Sequence, residues 1–164
     1  SNYKEVVFEG YAPHGIAVLV ETATDNNNRT VANLRSYFTK NNGSLGTSGS
    51  VVFMFDHTCN FTISDDGTDV EELELELIDY GADEVFKDEE GVHIYASFEN
   101  FGEIQKYLEE NKKEIISSGF DRIAQLNKEL NEEQEQEVNK LLDKIEEDDD
   151  VNAVYHNLKF SEKE

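Results

Sequence analysis

Arg29, Asn33, Ser36 and Lys40 are spaced by four, three and four residues. On a helix that spacing makes one line of donors, opposite an apolar stripe of Val31, Leu34 and Phe38. Arg35 flanks the stripe and is placed to pair with a carboxylate or to join the line. Cations, an amide and a hydroxyl in a row suit an anion, and a polyanion gains a salt-dependent increment of affinity for each Lys or Arg it meets. The glycine-rich stretch GSLGTSGS follows, with Gly43, Gly46, Gly49 and Ser50. Glycines let backbone N–H groups converge on a phosphate. The stretch has neither the Gly-Lys-Ser/Thr of a P-loop nor a dinucleotide-binding turn, and a structural turn is the stronger reading. The candidate nucleic-acid-binding set is therefore Arg29, Asn33, Arg35, Ser36, Lys40, Gly43, Gly46, Gly49 and Ser50. Its bland counterpart is a solvated helix face followed by a turn. Tyr11 and Tyr37 are possible base-stacking rings, with core packing the better expectation for both.

The distribution of charge gives that set its interest. The chain has 37 Asp and Glu in 164 residues and a net charge of −23, yet residues 26–55 contain no acid at all. Even scatter would place about seven there. Residues 1–57 are nearly neutral, at net −1, whereas 58–130 carry −14 and 131–164 carry −8. A polyanion is repelled by most of this molecule, so residues 1–57 are its plausible contact. A packed segment that happens to use Asn, Ser and Thr at its polar positions explains the same gap without function.

Other chemistry finds little support. His14, His57, His93 and His156 lie far apart without ligand spacing, and the single Cys59 with His57 is not a zinc set. The acid runs Asp88–Glu90 and Asp148–Asp150 lack the pattern of a calcium loop and read as solvated turns. No Ser/His/Asp, Cys/His or paired-carboxylate arrangement is assignable, so the sequence predicts no catalytic residue, metal or cofactor. The lone cysteine fits a reducing, cytoplasmic setting, and no apolar run approaches the roughly 18 residues of a membrane span.

The elements that must position the candidate set follow from periodicity. Residues 3–11 and 16–24 read as strands, with a helix from a cap at Asn27 or Asn28 to a stop at Gly43 and a third strand over 51–55. Residues 58–126 repeat a β-α-β-β-α-β order, with the last strand interrupted near Gly119. That order is the mark of a ferredoxin-like split βαβ unit. A helix from about Asn131, a break at Asp148–Asp150, a strand over 151–155 and a frayed tail beyond Asn157 complete an α+β chain of two small subdomains. The chain enters a strand pattern at once, which suggests a segment of a longer protein.

Three segments carry a family resemblance: Glu9-Gly-Tyr11 with Pro13 and Gly15; Thr24-Asp25-Asn26 and Asn28-Arg29-Thr30-Val31, with Arg35, Lys40, Gly43, Gly46 and Gly49-Ser50-Val51; and Asp149-Asp150-Val151 with Val154-Tyr155-His156-Asn157. Together they resemble the YebC/PmpR family over residues 3–158. Ala12 and His14 stand where the family usually has Gly, and its basic N-terminal helical domain has no counterpart here. The resemblance implies a discontinuous second domain, 1–57 plus 131–164, around an inserted ferredoxin-like third domain, 58–130. It also implies a non-enzymatic gene-expression regulator acting through nucleic acid, as DNA-binding transcriptional regulator or as RNA- or ribosome-associated translation factor, with the basic domain needed for that contact and no membrane partner. The alternative is a protein-interaction or small-ligand sensing module, on fold analogy alone.

Overall fold

The structure, a computed structural model, describes residues 2–162. Its elements run β1 (Lys4–Ala12), β2 (Ile16–Thr24), α1 (Asn27–Lys40), β3 (Ser44–Leu45), β4 (Phe55–Ile63), α2 (Val70–Ile78), β5 (Ala82–Asp88), β6 (Gly91–Ser97), α3 (Phe101–Glu110), β7 (Ile115–Ala124), β8 (Lys128–Glu129), α4 (Glu132–Glu146), β9 (Val151–His156) and β10 (Leu158–Lys159). The chain is α+β. It forms two compact units: one from the residues up to Phe55 together with those from Ala124 onward, the other Asp56–Ile123.

The first unit is built on a sheet of order β3-β1-β2-β9, with β2 antiparallel to both β1 and β9. Ile16 to Val20 on β2 are all buried, so this strand has a core on each face. Ile16, Val18 and Val20 meet Leu34 and Phe38 of α1 and Val138, Leu141 and Ile145 of α4. Ala17 and Leu19 point the other way, onto Val51 and Phe55. A Cβ at Gly10 would lie 2.6 Å from the Ser44 carbonyl oxygen and 2.9 Å from the Phe38 ring, so glycine alone lets β3 and α1 approach β1 there. In α4 the Asn131 side chain accepts from the Gln134 N–H at 2.8 Å while the Gln134 side chain accepts from the Asn131 N–H at 3.2 Å, a complete capping box.

In the second unit the sheet order is β5-β6-β4-β7 for a chain order β4-α2-β5-β6-α3-β7. That is the ferredoxin-like arrangement. Leu73 and Leu77 of α2 and Ile104 and Leu108 of α3 share one core with Phe61, Ile63, Val92 and Ile94, so both helices cover the same sheet face.

Several expectations need correcting. Residues 51–55 are not a strand: Val51 is followed by a 3-10 turn, Val52–Met54, because the N–H groups of Val51 and Val52 go to a side chain rather than a ladder. The strand begins at Phe55 instead and is nine residues long. β7 runs through Gly119 unbroken. The cap of α1 is Asn26, not Asn27 or Asn28, and its stop uses Asn42 at φ 62° ahead of Gly43. Residues 124–130, expected with the insert, belong to the first unit, where β8 pairs in parallel with β10. The observed breaks are thus 55/56 and 123/124, where 57/58 and 130/131 were expected. The stretch after Asn157 is not frayed as far as it is described: Leu158 is buried, and the Ser161 N–H and Oγ–H both donate to the Glu135 carboxylate, at 2.6 and 2.8 Å.

Candidate nucleic-acid interface

Helix α1 begins where the Asn26 side chain accepts from the Arg29 N–H at 3.1 Å. Leu34 and Phe38 of the expected stripe are buried, but Val31 is only half-buried and lines the outer strip. Its inward place is taken by Thr30, which is held by hydrogen bonds to Thr24 and Asp150, and the predicted donor line faces outward. The line does not act as one surface. The Arg29 guanidinium donates to Asp150 at 3.0 Å and to Asp25 at 3.2 Å, and its pKa is raised, first by the hydrogen bond to Asp150. Thr30 Oγ–H donates to the same Asp150 carboxylate at 2.9 Å. Tyr37 donates to Asp148 at 2.7 Å, and burial, then this bond, push its phenol up to about 12. Asn33 lines the depression between Arg29 and this acidic turn. The half of the line nearest the N-terminus therefore fastens α1 to the segment before β9, and its charge is already matched.

The other half differs. Arg35, Ser36 and Lys40, with Asn28, Ala32 and Thr39, line a shallow strip of α1 that holds no carboxylate. Arg35 and Lys40 are exposed, and neither makes an ion pair among the described residues. Arg35, placed either to pair with a carboxylate or to join the line, makes no ion pair among the described residues, whereas Arg29, expected at the front, is paired.

The glycine-rich loop also has its anion, from within. Glu9 is 4 % exposed. Its carboxylate accepts from the N–H groups of Gly49 at 2.6 Å, Val51 at 2.9 Å and Val52 at 2.7 Å. The Gly46 N–H donates to the Glu9 carbonyl and the Gly43 N–H to the Phe38 carbonyl, each at 2.8 Å. The Ser50 N–H donates to the Thr47 carbonyl, and its Oγ is buried beside Gly46, without a hydrogen-bond partner among the described residues. Gly43, Gly46, Gly49 and Ser50 thus shape a turn around a carboxylate, and all four of their backbone N–H groups are already committed within the protein. Glu9 is the residue that sequence reasoning missed. A carboxylate inside a strand, two residues from a turn, in the same domain as an acid-free glycine loop was the available signal. Tyr11 and Tyr37 both pack against the first unit's cores.

A family model described as the TACO1/YebC second and third domain matches residues 3–158. The chain belongs to the TACO1/YebC family. Similar proteins include one named "Probable transcriptional regulatory protein" from Flavobacterium johnsoniae, 68% identical over 159 residues, covering 97% of this chain and 67% of its own length. One of the same name from Parabacteroides distasonis is 55% identical over 165 residues, with 100% and 68% covered. The crystal structure of a conserved hypothetical protein from Aquifex aeolicus superposes with a TM-score of 0.71 at 36% identity, over 98% of this chain and 67% of that one. The chain thus spans about two thirds of the length of these TACO1/YebC relatives.

One cluster that sequence spacing did not predict lies in the β5–β6 hairpin of this family member. Ligand atoms of Asp88, Glu90 and His93 come within 4.8 Å of one another. His93 Nε2 and Asp88 are 2.7 Å apart, and His93 Nδ1 is 3.0 Å from Thr62 Oγ. Both ring nitrogens are therefore engaged, and the hydrogen bond from His93 holds the Asp88 carboxyl below its usual value. The arrangement braces a hairpin. No helix among the described residues is long and apolar enough to cross a membrane.

Proposed function

We propose that this chain is part of a non-enzymatic regulator of gene expression that meets nucleic acid through the outer side of α1, with Arg35 and Lys40 contacting phosphates and Ser36 donating between them. The observation that carries the reading is the pair of exposed cations, without ion pairs among the described residues, on a carboxylate-free strip in a chain of net charge −23. The relatives' names support the regulatory role. The acidity favours a shaped RNA site, such as a ribosomal surface, over duplex DNA, because a small basic strip can enter such a site while acidic faces point outward. The rest of the longer protein supplies further affinity.

The test is co-sedimentation of the full-length protein with ribosomes beside a DNA-shift assay, each at two salt concentrations. Arg35→Glu with Lys40→Glu should weaken binding and flatten the salt dependence by about 0.7 to 0.9 in log–log slope for each phosphate no longer neutralised, with little change in melting. Arg29→Glu serves as the contrast. It puts a carboxylate against Asp25 and Asp150, so it should lower the melting temperature. Parent-like binding by the Arg35/Lys40 variant would overturn the assignment.

A further inference from the structure

We propose that the open face of the second unit's sheet docks an arginine-bearing segment of a basic protein. Alternate residues on the strands point away from the helices, and the register sets them in rows: Glu84, Tyr95 and Asn60 in one, Phe86, His93 and Thr62 in the next. The Phe86 ring lies near-parallel to Tyr95, at 11° and 5.7 Å between centroids, and stacks on His93 at 5.0 Å. Tyr95 is 38 % exposed, in contrast to the sealed residues on the helix-covered face.

These rows contain no Lys or Arg. Their charged groups are Glu84 and, at the hairpin end, Asp88, while His93 is held between Asp88 and Thr62. Around them the unit carries twenty Asp and Glu against five Lys and Arg. Aromatic rings on a four-stranded sheet also suit nucleic-acid bases, but a base brings its phosphate, and these rows supply no cation to meet one. A guanidinium reverses the balance. It stacks on the exposed Tyr95 ring and places its N–H fork toward Glu84 on the neighbouring strand, so ring and carboxylate act on one group. Charge complementarity selects a polycationic protein segment, with arginine preferred to lysine because lysine cannot offer a planar fork.

The probe is a synthetic Arg-Gly repeat peptide, with a Lys-Gly peptide of equal length and oligouridine beside it. Each is titrated into the isotopically labelled 164-residue chain and followed by NMR and calorimetry. The Arg peptide should shift Tyr95, Phe86 and Asn60 resonances and bind more tightly than the Lys peptide. Tyr95→Ala should weaken it about threefold to fivefold, the size expected of a cation–π contact at a partly exposed ring. Glu84→Gln, which leaves packing untouched, should weaken it as well, and Tyr95→Phe should restore it. Glu72→Gln with Glu76→Gln, on exposed positions of α2, removes two charges elsewhere and should leave affinity within about twofold. Equal losses from the α2 variant and the Tyr95 and Glu84 variants would mean diffuse attraction and overturn the proposal. Oligouridine binding that depends on Tyr95 would overturn it in favour of a base-stacking face.

Discussion

Glu9 occupies the place a phosphate would take in a glycine-rich cradle, and this makes the loop part of the scaffold. Replacing Glu9 by Gln keeps one acceptor oxygen but turns an NH2 group toward N–H donors, of which that of Val51 is buried. Loss of a charge-assisted acceptor with donors left unpaired costs at least about 2 kcal/mol. Urea unfolding of Glu9→Gln should show that loss with an unchanged m-value; a tolerated substitution that creates phosphate affinity would instead make the loop a binding element. His156 offers a second single-residue test. Burial holds its imidazole below the usual histidine value, and its Nδ1 accepts from the Leu158 N–H at 3.1 Å. The unfolded chain takes up a proton near pH 6.5 while the folded one resists until lower pH. Stability from this residue is therefore whole above the unfolded value and is lost as pH falls through the folded one. Between pH 7.5 and 5.5 the melting temperature of the parent should fall more than that of His156→Asn, which keeps an acceptor near the Nδ1 position.

The elements that could be read from sequence are those whose stability is local. Helix α4 shows its apolar stripe, its Asn131–Gln134 capping box and its first-turn glutamates within one short window, and all of these stand in the structure. Asn131→Ala should cost about 1 kcal/mol in a denaturant titration, and a cost near zero would mean that packing alone sets the helix start. What could not be read depended on partners distant in sequence. Residues 51–55 look like a strand until Glu9, some forty positions earlier, claims the Val51 and Val52 N–H groups. Arg29 and Lys40 look equivalent along α1 until Asp150, 121 residues beyond Arg29, pairs with one of them. The acid-free stretch was legible as an anomaly. Its meaning was not, because Glu9, Asp25, Asp148 and Asp150, the acids that serve it, all lie outside it. The sequence offered Arg29, Arg35 and Lys40 as members of one candidate set, and only the packing separates the two open cations, Arg35 and Lys40, from the paired Arg29.

At the scale of the molecule, acidity and connectivity are linked. Residues 56–123 hold net −15 of the total −23, in a unit with its own core around Phe61, Ile94 and Ile104. The first unit closes on itself where the insert leaves and returns: the Gln125 N–H donates to the Met54 carbonyl at 3.0 Å, its side-chain amide donates to the Phe53 carbonyl at 3.2 Å, and Ala124 packs on the Val51 and Phe55 cluster. The chain ends at this junction are thus already held close, and a few glycine and serine residues can replace the insert without stretching either strand end. The closure entropy of so short a link is small. The shortened first unit should melt cooperatively, as should the excised segment 56–123 on its own. With most of the negative charge removed, any contact of α1 with RNA should strengthen at low salt and converge on that of the intact chain as screening shortens the reach of the field to a few ångströms, about 3 Å at 1 M. An RNA affinity that stays the same at low salt would mean that the acidic insert exerts no field on that surface. A shortened unit that shows no cooperative transition while the intact chain does would mean that the two cores fold only together.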